Sequence, residues 1–92
     1  MAEAYIIDAV RTPRGIGKPG KGALSHLHPQ HLAATCLKAI KDRNNLNTAT
    51  VDDIIWSCSS QNGKQGGDMG RMAALAAGYD ISASGTTLDR FC

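Results

Sequence analysis

The hydrophobic and polar positions along this chain alternate between two periods. Ala4-Tyr-Ile-Ile-Asp-Ala-Val10 is apolar nearly throughout and rich in residues that favour a pleated surface, so it predicts a strand buried on both faces. Pro13 ends it, and a loop with Gly15, Gly17, Gly20, Gly22, Pro19 and Pro29 follows. From Gln30 to about Arg43 the period changes. Ala33, Cys36, Leu37 and Ile40 share one helical face, Pro29 suits the entry turn, and Asn44-Asn45 can close the helix. Ile54-Ile-Trp-Ser-Cys58 predicts a second strand, and Ser59 to Gly67 a polar loop. Asp68 is a good N-cap for a second helix from Met69 to about Ala77, with Gly78 as its stop. That helix is apolar nearly all round except for Arg71, so it should be covered on several sides, and few other residues are available to cover it. Ser84-Gly-Thr-Thr-Leu88 predicts a third strand leading to Cys92. The order β-α-β-α-β is that of an α/β fold with a parallel sheet.

Composition adds a suspicion to this pattern. Leu, Ile, Val and Phe number 17 of 92 residues, while Ala and Gly contribute 13 and 10. Small side chains permit tight contacts but bury little area each, at roughly 25 cal/mol per Å². Residues 1–92 therefore read as one incomplete domain, a slice of a larger, closely packed protein. The formal charge of +2 is too balanced to imply nucleic acid or an anionic membrane as partner. No apolar run is long enough to span a membrane, and Met1 to Tyr5 do not resemble a secretory leader. Cys36, Cys58 and Cys92 are widely spaced and form no C-x-x-C pair, which argues against a disulfide framework or structural zinc and points to a cytoplasmic setting.

Several motifs invite functional readings. Gly15-Ile-Gly-Lys-Pro-Gly20 matches G-x-G-x-x-G, but Arg11 to Arg14 separate it from the strand, and Pro19 stands where a helix should be running. Gly15 to Gly22 nearly matches a phosphate loop, but Gly22 replaces the magnesium-binding hydroxyl. His26, His28 and His31 read as a surface cluster before they read as a metal site. Lys18, Lys21 and Lys64 could contact an anionic ligand, though loop cations often only solvate. Arg71 needs a partner, either an ion pair or backbone carbonyls, with ligand contact as the alternative. Cys36 and Cys58 read as core.

Cys92 differs in context because it directly follows a strand. A nucleophile at a strand-to-helix turn is open to substrate. Free N–H groups of a helix beyond it would lower the thiol pKa and could stabilise an oxyanion.

Four stretches together resemble the thiolase family. Ala4 to Pro13 is similar to its amino-terminal strand with an Arg-Thr-Pro ending, and Val51 to Ile55 to the strand entry after the first helix. Gly70-Arg-Met-Ala-Ala-Leu-Ala-Ala-Gly78 resembles its Arg-x-Ala-x-Leu-x-Ala-Gly helix, and Leu88-Asp-Arg-Phe-Cys92 the segment ending in the acylated cysteine. The loop from Arg14 to Gly22 is richer in Gly and Lys than the family pattern.

The resemblance implies a layered αβαβα fold, of which this chain would be the first part. It implies an acyl-CoA C-acyltransferase, foremost an acetyl-CoA acetyltransferase, with Cys92 as nucleophile and its N–H in an oxyanion hole. Acyl-CoA and CoA would be substrates and no cofactor would be required. A homodimer or homotetramer would form with a contact near Ser84 to Leu88. The activating histidine and second cysteine would lie outside this chain, so the 92 residues alone should not turn over. The alternatives are a 3-oxoacyl synthase of the same fold, or a non-catalytic thiolase-like module that binds acyl-CoA or lipid. The Arg-Thr-Pro ending and the Arg71 helix argue against the synthase.

Overall fold

The computed structural model describes residues 2–92. Its first helix, α1, runs over Pro29–Arg43 with Pro29 in the first turn, where a missing N–H costs nothing. His28 is its N-cap, and Nδ1 accepts a hydrogen bond from the Gln30 N–H at 3.0 Å. At the other end Asn44 closes the helix and Asn45 takes the left-handed conformation, φ 47°. A short 3-10 turn, Thr48–Thr50, leads into strand β1, Asp53–Cys58. A second 3-10 turn, Gly63–Gln65, interrupts the following loop. Helix α2 covers Met69–Ala76, and strand β2 covers Ser84–Asp89.

β1 and β2 pair in parallel, from Asp53 opposite Ser84 to Cys58 opposite Asp89. The pairing continues beyond the strands: the Arg90 N–H donates to the Cys58 carbonyl at 2.7 Å and the Phe91 N–H to the Ser59 carbonyl at 3.1 Å. α2 is the crossover between the strands and packs on both of them, and α1 packs against α2.

That position accounts for its sequence. A helix in contact with both a sheet and another helix needs a wide apolar face, and Met69, Gly70, Ala73, Ala74 and Ala77 share one such buried face. Most of the cover comes from the chain's own α1 and strands, contrary to the expectation that few residues were available for it. Leu75 and Ala76 remain exposed. Half of the buried apolar residues are alanines, which lets backbones approach closely. The closest approach is at two glycines. A Cβ on Gly70 would lie 2.9 Å from the Thr86 carbonyl oxygen and 3.0 Å from the Trp56 Cβ. A Cβ on Gly85 would meet the Arg71 backbone at 3.0 Å.

The α/β class and the four later elements agree with the sequence reading to within a residue or two at their ends. The first predicted strand does not form. Residues 4–10 have no strand partner, and Ile6 is 93% exposed. A strand is defined by its neighbour, and here β1 and β2 pair only with each other. The segment is instead tied to the end of α1, where the Asn44 side-chain amide donates to Asp8 Oδ2 at 3.0 Å. That bond is the main reason the Asp8 carboxyl sits below its ordinary pKa. The sheet is also covered on one face only. Ile54, Trp56 and Cys58 turn towards α2 and the core, while Ile55 on the opposite face is 69% exposed. Parallel sheets are normally covered on both faces.

Candidate active site

In a parallel β-α-β unit the carboxyl ends of both strands lie at the same end of the sheet. Ligands of open α/β folds bind there. In this chain that end is formed by Cys58 at the end of β1, the polar loop from Ser59 to Gly67, Asp89 at the end of β2, and Arg90 to Cys92 after it. The two backbone bonds from Arg90 and Phe91 carry the β2 direction past the strand towards Cys92, which is exposed. Cys58 is buried and Cys36 half-buried. Cys58 thus behaves as core, and Cys36 lines a cavity of about 230 Å³ between α1 and β1. Of the three thiols, Cys92 is the exposed one, while Cys36 is only partly accessible.

A polar network centres on Thr87 of β2, the strand that leads to Cys92. Asp68 occupies the left-handed region, φ 62°, and its Oδ1 accepts from the Arg71 N–H at 3.2 Å. The same oxygen accepts from the Thr87 hydroxyl at 2.7 Å, and Thr87 Oγ1 in turn accepts from the Gly70 N–H at 2.9 Å. Gln61 Nε2 donates to the Thr87 carbonyl at 3.3 Å. The first turn of α2, the polar loop and β2 thus meet at Thr87. The capping role of Asp68 was legible locally, but Thr87 and Gln61 were not, because their partners lie 17 or more residues away. A hydroxyl on the inward-facing position of β2, opposite a capped helix, was the available signal.

Arg71 uses backbone carbonyls as partners, one of the two structural readings expected of it. Its guanidinium donates to Ala83 O at 2.8 Å and Ile81 O at 3.2 Å, which fixes the turn that leads into β2. Gly15 to Gly22 neither follows a strand nor opens a helix, so the phosphate-loop geometries are absent, and α1 begins only at Pro29. His28 serves as a helix cap. Among the described residues no group of three or more His, Cys, Asp or Glu is placed to hold a metal ion. Among them, too, no helix is long and apolar enough to cross a membrane. Lys18 and Lys64 line one cavity, whereas Lys21 is outside it.

Comparison with known proteins decides what this arrangement is. The family model for the thiolase N-terminal domain matches residues 4–92. The chain belongs to the thiolase family. Similar curated thiolases include the steroid 3-ketoacyl-CoA thiolase FadA6 of Mycobacterium tuberculosis, 46% identical over the whole chain. The 3-oxoadipyl-CoA/3-oxo-5,6-dehydrosuberyl-CoA thiolase of Escherichia coli is 44% identical and a 3-ketoacyl-CoA thiolase of Yersinia pestis 41%, again over the whole chain. This thiolase chain spans 22–24% of the length of those relatives.

Proposed function

We propose that these residues form the amino-terminal part of a thiolase that makes or cleaves 3-oxoacyl-CoA, with Cys92 as the acyl-carrying nucleophile. The observation that carries this reading is the position of Cys92 just past the carboxyl end of a parallel strand pair, in a chain that matches the thiolase N-terminal domain. In the condensing direction the Cys92 thiolate attacks the thioester carbonyl of acetyl-CoA. The C–S bond to CoA breaks, CoA leaves as the thiol after taking a proton, and the acetyl group stays on Sγ. A second acetyl-CoA loses a proton from its α-carbon to a base, the carbanion attacks the acetyl carbonyl, and Cys92 leaves as thiolate. Thiolysis is the reverse. A thiolate suits both halves because it is a good nucleophile and a good leaving group. The Cys92 N–H is proposed as one oxyanion donor.

Acetyl-CoA acetyltransferase is the specific activity we propose, in a cytoplasmic homodimer or homotetramer with no cofactor besides its CoA thioesters. β2 pairs with β1 along one edge only, and its other edge from Ser84 to Leu88, unpaired among the described residues, supports a subunit contact there, because such an edge is a ready surface for another chain. The bare sheet face and the exposed Tyr5, Ile6 and Ile7 support further layers of an αβαβα thiolase around this part.

The test is the intact mass of the full chain after mixing with acetyl-CoA, followed by peptide mapping. One acetyl group on Cys92 is expected. Cys92→Ala should remove it and lower turnover on the order of 10⁴-fold or more, the scale of deleting a nucleophile. An acetyl adduct on Cys36 or Cys58, or undiminished turnover of the variant, overturns the assignment.

A further inference from the structure

Charge along this chain is unevenly placed. Between Asp8 and Asp42 there is no acidic residue, and residues 9–31 carry Arg11, Arg14, Lys18 and Lys21. The loop from Ser59 to Gly67 also lacks carboxylates and contributes Lys64. These two basic segments are far apart in sequence, yet they meet at one cavity of about 510 Å³. Its walls are Ile16, Pro19, Leu24 and Leu32, and its cations are Lys18 and Lys64. Among the described residues neither lysine makes an ion pair; the other two lysines of known partner, Lys38 and Lys41, are both engaged by Asp42. Gly22 holds the loop in shape, since its α-carbon packs so closely on Ile16 that a Cβ would lie 1.9 Å from the Ile16 carbonyl oxygen.

We propose that this cavity binds an amphipathic anion: an aliphatic chain ending in a carboxylate or phosphate, its chain against Ile16, Leu24 and Leu32 and its charged end between Lys18 and Lys64. The volume falls in the range of small-molecule sites, which combine apolar walls with a few convergent polar groups. Two ammonium groups with no ion-pair partner among the described residues, in a cavity lined by no carboxylate, favour an anionic occupant over a neutral or cationic one. The apolar walls set this site apart from a simple phosphate cradle, which would need backbone N–H groups aimed inward. The inference goes beyond the acyl-transfer reading and stands whether or not Cys92 carries acyl groups.

Lysine footprinting of the full chain tests it. An amine-reactive reagent is applied with octanoate, octyl phosphate, inorganic phosphate or octanol, and labelling is read by peptide mass. Octanoate or octyl phosphate should protect Lys18 and Lys64 together by several-fold and leave Lys38 and Lys41 unchanged. Protection by octanoate alone assigns a carboxylate ligand, and by octyl phosphate alone a phosphate ligand. Inorganic phosphate and octanol at equal concentration should protect neither. Lys64→Gln should abolish the protection of Lys18. No protection, equal protection of Lys38 and Lys41, or full protection of Lys18 in Lys64→Gln overturns the proposal.

Discussion

Tyr79 shows how much one side chain contributes to this fold. It is buried, and its hydroxyl donates to the Leu37 carbonyl of α1 at 2.8 Å, which joins the end of the α2 segment to the first helix. Burial, with the Asp42 carboxylate as a second cause, raises the Tyr79 pKa above its model-compound value of 10.0. The neutral phenol is therefore the form that the fold prefers. Its contribution is full below the unfolded pKa near 10 and is lost as pH rises through the higher folded value. Tyr79→Phe should cost about 1 kcal/mol near neutrality, the net worth of one hydrogen bond. It should also flatten the alkaline fall in stability. Denaturation midpoints of the full chain between pH 7 and 11 check both; an unchanged alkaline limb would assign that fall to another group. Asp80 behaves with the opposite sign. Hydrogen bonds from the Ser82 hydroxyl and N–H lower its pKa, so its support of the turn is lost as pH falls through the acidic range.

At the scale of elements, the contact of α2 with the strands rests on Gly70 and Gly85. Helix propensity alone would favour Ala over Gly at position 70 by up to about 1 kcal/mol. The close Thr86 carbonyl and Trp56 Cβ oppose this, and overpacking a tight interface costs about 1–3 kcal/mol. The obstacle at Thr86 is backbone, which yields less than a flexible side chain, so the steric cost should win. Gly70→Ala is expected to lower stability by about 1–2 kcal/mol, read as a lower urea midpoint with an unchanged slope. A gain would mean that the helix can withdraw from the sheet without loss. The elements themselves were largely legible. α1 and α2 carry local stop and start residues (Pro29, Asn44, Asp68, Gly78), and β1 and β2 carry local strand residues. The 3-10 turns were not, because their hydrogen bonds span only three residues and leave no periodicity.

Over the whole molecule, the apolar surfaces left open are as informative as the core. Tyr5, Ile6, Ile7, Ile55, Leu88 and Phe91 are all exposed, in a chain whose sheet is bare on one face. These surfaces fit the proposed thiolase subunit, in which further layers and a second copy would cover them. Leu88→Lys in the full chain should reduce its assembled mass in solution, measured by light scattering, while leaving the helical content intact. An unchanged mass would place the subunit contact elsewhere. The predicted strand from Ala4 to Val10 belongs to this scale as well. Its residues have strand character, but pleated structure requires a hydrogen-bonded neighbour, and none is present among the described residues.

The α/β order, the capped ends of both helices and the family motifs that lead to Cys92 are all legible in the amino-acid sequence. Each of these depends on residues close together in the chain. The other features come from the folded chain: the shared contact of α2 with α1 and both strands, the Thr87 network that joins three segments, the carbonyl partners of Arg71, and the meeting of Lys18 with Lys64. Those outcomes depend on which distant residues become neighbours. Close packing and the need to satisfy buried polar groups settle such choices for the whole chain at once.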